Sequence, residues 1–181
     1  MGVSISLDFT DRDLGLFRHA VRQSRNTVRD GDEAEIIEAV RSVLDSIRTS
    51  GPLPDFVAQR LPALDTMIDM LEDAEWRLPR PAREQMLATF VYFGDPEDVI
   101  PDAIPAIGYL DDVILIELLL RDLKHVREAY GDFRRYRKEY DRKHGKRSDA
   151  AARKKSLEGK RKSLHERMKR RQARDKRPAL W

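Results

Sequence analysis

The chain has 181 residues, enough for one domain with an appendage, and no cysteine, which excludes a disulfide framework, a thiolate nucleophile and a cysteine-ligated metal. Its net charge of +3 hides a division: residues 1–132 carry 14 Lys and Arg against 26 Asp and Glu, whereas residues 133–181 carry 21 against 6. A basic arm on an acidic body is a form in which proteins meet nucleic acid, anionic lipid or acidic protein surfaces.

The opening residues show no basic segment followed by an apolar one, so no secretory leader is expected. The longest apolar run, Val113 to Leu120, contains Glu117 and is far shorter than the ~20 residues a bilayer requires. A cytoplasmic protein is expected, peripheral to a membrane if the basic arm meets anionic lipid.

In chain order, Thr10 with Asp13 forms a cap-like start, and Leu14, Phe17, Val21 and Val28 recur at roughly helical spacing, predicting a helix over about 11–29. Gly31 ends it. Asp32 and Glu35 then cap a second helix, with Ile36, Ile37, Val40, Val43, Leu44 and Ile47 on one face. The segment "SGPLP" marks a turn, and Leu61, Leu64, Met67, Ile68 and Leu71 give another helical stripe, with Pro62 accommodated where a short helix ends and a new one begins. Pro79 and Pro81 punctuate again before a helix from Pro81 to about Phe93 that carries Met86, Leu87, Phe90 and Val91.

From Asp111 or Asp112 one long helix is expected. It is apolar on nearly every side at first and thins to Val126, Tyr130, Phe133, Tyr136 and Tyr140. No segment alternates as a strand would. The fold class is therefore all-α: a multi-helix bundle around a long central helix, with a helical body over 1–144 and a basic tail over 145–181. In the tail only Leu157, Leu164 and Met168 are apolar residues of any size before the terminal "ALW", too few for a coiled-coil seam, so a fraying helix or a chain disordered until it binds is expected.

The residues "DPEDVIPDAIPAIGYLDDVILIELLL" resemble the YkvA-like family of bacterial proteins, whose pattern is approximately P-x-D-x-I-P-D-x-I-P-x-x-G-x-L-D-D followed by an aliphatic helix. Pro96, Asp98, Ile100, Pro101, Asp102, Ile104, Pro105, Gly108, Leu110, Asp111 and Asp112 fall on it, and with the lead-in "ATFVYFGDP" the resemblance covers about residues 80–125. It implies a small helical domain and no defined activity, substrate or cofactor.

Hard cations need several oxygens converging on one point. On a helix Asp112 and Glu117 fall about 140° apart. Asp98 and Asp102 are one turn apart, but Pro101 lies between them. The motif reads better as punctuation: Pro101 and Pro105 suit first turns, Asp98, Asp102 and Asp111 suit caps, and Gly108 suits a tight bend. A carboxylate-based metal enzyme remains the alternative if Pro96, Asp98, Pro101, Asp102, Pro105, Gly108, Asp111 and Asp112 frame an ion. Glu117 is expected to pair with Arg121 or with an arginine of another helix. The Asp122/His125 and Asp141/His144 pairs lack the further carboxylates of a di-iron bundle.

The basic residues carry the functional expectation: a non-enzymatic module, with no cofactor, whose tail contacts RNA, DNA or a ribonucleoprotein. The candidate contacts are Arg134, Arg135, Arg137 and Lys138, followed by Arg153, Lys154, Lys155, Lys160, Arg161, Lys162, Arg167, Lys169, Arg170 and Arg171. Tyr130, Phe133, Tyr136 and Tyr140 interleave with the first four, a mixture that stacks bases, although aromatics at helical spacing are usually packing. Anionic lipid is the alternative partner, and the acidic body is an intramolecular alternative.

Overall fold

The computed structural model describes residues 10, 15, 19, 33–49, 54–93, 110–145 and 149–175. Among these the fold is all-α. Its helices are α1 (Glu33–Thr49), α2 (Asp55–Ala58), α3 (Leu61–Glu72), α4 (Arg80–Phe93), α5 (Leu110–Asp122), α6 (Lys124–His144) and α7 (Ala150–Arg174). Of the helix expected over 11–29, Gly15 and His19 are helical and the remainder lies outside the described residues, as does the capping Asp32.

In α1 the apolar residues recur so that Ile37, Val40 and Leu44 are buried, while Glu33 and Glu35 in the first turn and Arg48 in the last complement the helix dipole. Its polar face ties to α3. Arg48 Nη2 donates to both oxygens of Asp65 at 2.7 Å, and Arg41 Nη2 donates to Glu72 Oε2 at 2.5 Å. As the position of Pro62 predicts, the one-turn α2 ends and α3 begins just before it, where a missing N–H leaves no helix bond unmade. Pro81 sits in the first turn of α4, and Arg83 N donates back to Pro79 O at 3.0 Å to open that helix.

Both α4 and α5 are buried on several sides. In α4 the run Met86, Leu87, Ala88, Thr89 and Phe90 is buried throughout, and Thr89 Oγ1 satisfies itself on Gln85 O at 3.0 Å. In α5 Val113, Leu115, Ile116, Leu118 and Leu119 are buried. The exposed residue in that run is Glu117, which accepts from Arg60 Nε at 2.8 Å, so its partner is an arginine outside its own helix. Arg121 turns instead to Asp122 at 3.3 Å.

Two expectations need correction. The long helix expected from 111 onward is broken at Leu123, where ψ is 10° and the chain leaves the α conformation. No Gly or Pro marks the place. Leu123 is buried with Leu119 and Val126 on either side, and its N–H and C=O still bond to Leu119 O and Arg127 N, both at 2.9 Å, so tertiary packing sets the break at little cost in hydrogen bonds.

The second concerns the tail, which takes the helical form of the two expected but as a packed helix rather than a fraying one. Asp149 caps α7 by accepting from Ala151 N at 3.1 Å, and the helix runs 25 residues with Leu157, Leu164 and Met168 buried in the same core as α1, α3 and α4. Three large apolar residues suffice because they dock into a core already built by others rather than forming a seam alone. Before it, α6 ends at Gly145, whose φ of 54° lies in the left-handed region that glycine adopts without strain.

Candidate polyanion interface

The surface that α7 presents depends on a short turn after α3. Asp73 is 8% exposed at its side chain, and its Oδ1 accepts from the backbone N–H groups of Glu75 and Trp76, both at 3.0 Å. That Asx-type turn fixes Trp76 inward and Glu75 outward. Asp73 also takes the Tyr130 hydroxyl at 3.2 Å and Arg137 Nη1 at 3.0 Å, which anchors α6 to the turn.

Trp76 is fully inaccessible. Its ring lies 5.6 Å from Tyr130, 5.3 Å from Phe133 and 4.5 Å from His165 of α7, the last edge-on. Tyr130 and Phe133 are therefore core residues and cannot stack bases, in keeping with the packing role that their helical spacing suggests. Burial, then the carboxylate of Asp73, pushes the Tyr130 phenol up to about 12. Tyr136 is half-buried, its hydroxyl 2.7 Å from Ser156 Oγ and its ring under Lys160, and Tyr140 stacks on His144.

The basic residues divide into two sets. One set is paired, mostly with carboxylates, along the α6–α7 hairpin and the turn after α3. Arg153 donates to both Glu75 and Asp141, Arg161 reaches Glu75 O at 3.1 Å, Arg167 and Arg135 share Asp132, and Arg171 donates to Glu128 Oε2 at 2.8 Å. Arg137 pairs with Asp73 and Glu75, and Arg134 approaches Asp69 at 3.7 Å. The Arg153 guanidinium holds Glu75 and Asp141 below the usual carboxylate range, and Arg167 does the same to Asp132.

The other set faces outward. Lys154, Lys155, Lys169 and Arg170 of α7 and Lys138 of α6 are exposed, with no acidic partner among the described residues. Lys162 is also exposed and touches Glu158 of its own helix at 3.1 Å. Lys155, Lys162 and Lys169 recur every seven residues, so they form a stripe opposite Leu157, Leu164 and Met168 with ~10.5 Å of rise between neighbours. All of α7 carries eleven Lys and Arg against two Glu.

Of the motif residues, Pro96, Asp98, Pro101, Asp102, Pro105 and Gly108 lie outside the described residues, and Asp111 and Asp112 stand in the first turn of α5. Among the described residues no group of three His, Asp or Glu is placed to hold a metal ion, and no helix is long and apolar enough to cross a membrane. His125, separated from Asp122 by the helix break, faces Glu128 at 3.7 Å and Asp175 at 3.4 Å.

Sequence reasoning missed Asp73, Glu75, Trp76 and Asp132, the residues that turn a basic tail into a folded basic face. Their signal was available only in part: "DAEW" between two helical stripes has the form of an Asx turn, but apart from the local Asp132–Arg135 pair the ion pairs join residues 35 to 78 positions apart. A family model described as a protein of unknown function (DUF1232) matches residues 85–118, from the middle of α4 into α5. No curated protein and no solved structure matches the chain.

Proposed function

We propose that the protein is a non-enzymatic interaction module that uses the cationic α6–α7 hairpin to hold a nucleic acid, with residues 80–125 forming a YkvA-like core that supports it. The observation that carries this reading is the two-faced character of α7: one face is locked into the core and the opposite face displays lysines with few competing carboxylates. Such a face is a fixed array of cations, so a polyanion that binds it releases counterions without first ordering the helix.

The same burial disfavours the lipid alternative. An amphipathic helix lying on a membrane turns its apolar residues to the acyl chains, yet Leu157, Leu164 and Met168 are each only 3% exposed. Among the described residues, what α7 presents is a cationic surface without an apolar anchor, which suits phosphates in water. A cytoplasmic location is part of the same proposal.

The test is binding of the full chain to a fluorescein-labelled 20-base-pair duplex and to a single strand of the same length. Each phosphate left unneutralised by Lys155→Gln, Lys162→Gln or Lys169→Gln is expected to lower the slope of log K against log salt by ~0.7–0.9. Absence of binding to both probes at 50 mM salt, with binding to anionic vesicles instead, would replace this reading with the lipid one.

A further inference from the structure

Between α6 and α7 runs a groove of about 540 Å³ whose α6 wall carries Lys124, Arg127, Glu128, Gly131, Asp132 and Arg135, and whose α7 wall carries Arg167 and Arg171. Five cations face two carboxylates. The carboxylates are not spare, because Asp132 accepts from both Arg135 and Arg167, and Glu128 accepts from Arg171. They hold three guanidiniums in fixed positions, each with further N–H donors left over, while Lys124 and Arg127 have no acidic partner among the described residues.

Gly131 is the second, independent observation. It sits in the interior of a 21-residue helix, where glycine is less favourable than alanine, and it has helical dihedrals. Nothing lies within 4 Å of where its Cβ would be, so neither packing nor backbone conformation requires glycine there. Its position in the groove lining leaves the α6 backbone open to a ligand between the two rows of cations.

We propose that this groove is the phosphate-gripping site of the hairpin, in which a sugar-phosphate strand lies against Gly131 between Lys124, Arg127 and Arg135 of α6 on one side and the oriented guanidiniums of Arg167 and Arg171 of α7 on the other. The proposal rests on the nucleic-acid reading above and says where on the hairpin the strand is held. The outward lysine stripe then acts as a flanking, weaker electrostatic surface. A preset array of guanidiniums suits phosphate better than isolated ammonium groups, because bidentate donation adds geometry to charge.

The experiment uses the full chain with the same labelled duplex and single strand. Lys124→Gln with Arg127→Gln removes two cations that hold no ion pair among the described residues, so folding, checked by circular dichroism, is retained. With two fewer phosphates neutralised, the salt slope falls by about 1.4–1.8. Gly131→Leu fills the groove with a good helix former and is expected to weaken binding at least fivefold while circular dichroism shows the helix content retained. If both groove variants bind like the wild type while Lys155→Gln, Lys162→Gln and Lys169→Gln do not, the groove assignment is overturned and the nucleic-acid reading stands. If the wild type shows no salt-dependent binding to either probe, both fall together.

Discussion

The imidazole of His165 meets the indole of Trp76 edge-on, with ring centroids 4.5 Å apart and planes at 79°, and this contact joins the basic helix α7 to the turn after α3. His165 Nε2 is buried without a hydrogen-bond partner. The contact is therefore made by a neutral ring, and a proton on that nitrogen has nowhere favourable to go.

Burial, then the positive charges of Arg161 and Lys169, holds the His165 imidazole below its ordinary value of 6.5. Between that value and the lowered one, the unfolded chain binds more protons than the folded chain, so stability rises with pH across this window and is lost as pH falls through it. Unfolding midpoints in urea are expected to drop from pH 7.5 to pH 5.5, and His165→Phe, which keeps the ring contact without the titration, is expected to flatten that drop. A second decline, as pH falls below the carboxylate range, follows from Glu75 and Asp132, whose ion pairs stabilise the fold only while they are charged.

Asp73→Ala removes the acceptor of two backbone N–H groups, the Tyr130 hydroxyl and the Arg137 guanidinium at once. The cost is expected to be ~3 kcal/mol, because the change leaves Arg137 without its most buried partner and opens the turn. Equilibrium denaturation checks it. A cost below ~1 kcal/mol would mean that the turn holds its shape without this carboxylate.

Leu164→Ala, on the buried face of α7, is expected to cost ~2–4 kcal/mol, the range for truncating a core leucine. Removing residues 150–174 altogether would expose Trp76 and the apolar partners of Leu157, Leu164 and Met168, and the shortened chain is expected to aggregate or bind a hydrophobic dye. Tail deletion is thus the wrong test of tail function, and point neutralisation of outward lysines is the right one.

Gly159 lies on the exposed side of α7 with open space at its Cβ. Gly159→Ala is expected to raise stability by ~0.5–1 kcal/mol, the usual gain for such an exchange in a helix interior. Thermal unfolding reads the gain directly.

Much of the body was legible because its signals are local. The spacing of Ile37, Val40 and Leu44 placed α1, Pro62 placed the junction of α2 and α3, and the isolation of Glu117 in an apolar run announced an arginine partner, left open between Arg121 and another element and found in Arg60. The break at Leu123 was not legible, since no residue there disfavours helix and the cause is packing against distant elements. Nor was the docking of α7: three apolar residues in 25 look insufficient until Trp76, Tyr130 and Phe133 supply the surface that receives them. The candidate cations from Arg134 onward were visible in the sequence, but Lys124 and Arg127 of the groove were not singled out, nor was the division into arginines paired with Glu75, Asp132 and Glu128 and lysines left facing water.

The most direct test of the central claim is the salt dependence of binding between the full chain and the labelled 20-base-pair duplex, measured from 50 to 300 mM salt. A hairpin that engages at least four phosphates predicts a slope of log K against log salt of about −3.6 or steeper, with Lys124→Gln and Arg127→Gln together making it shallower. A slope near zero, or no binding at 50 mM salt, would contradict the assignment of this basic face to nucleic acid.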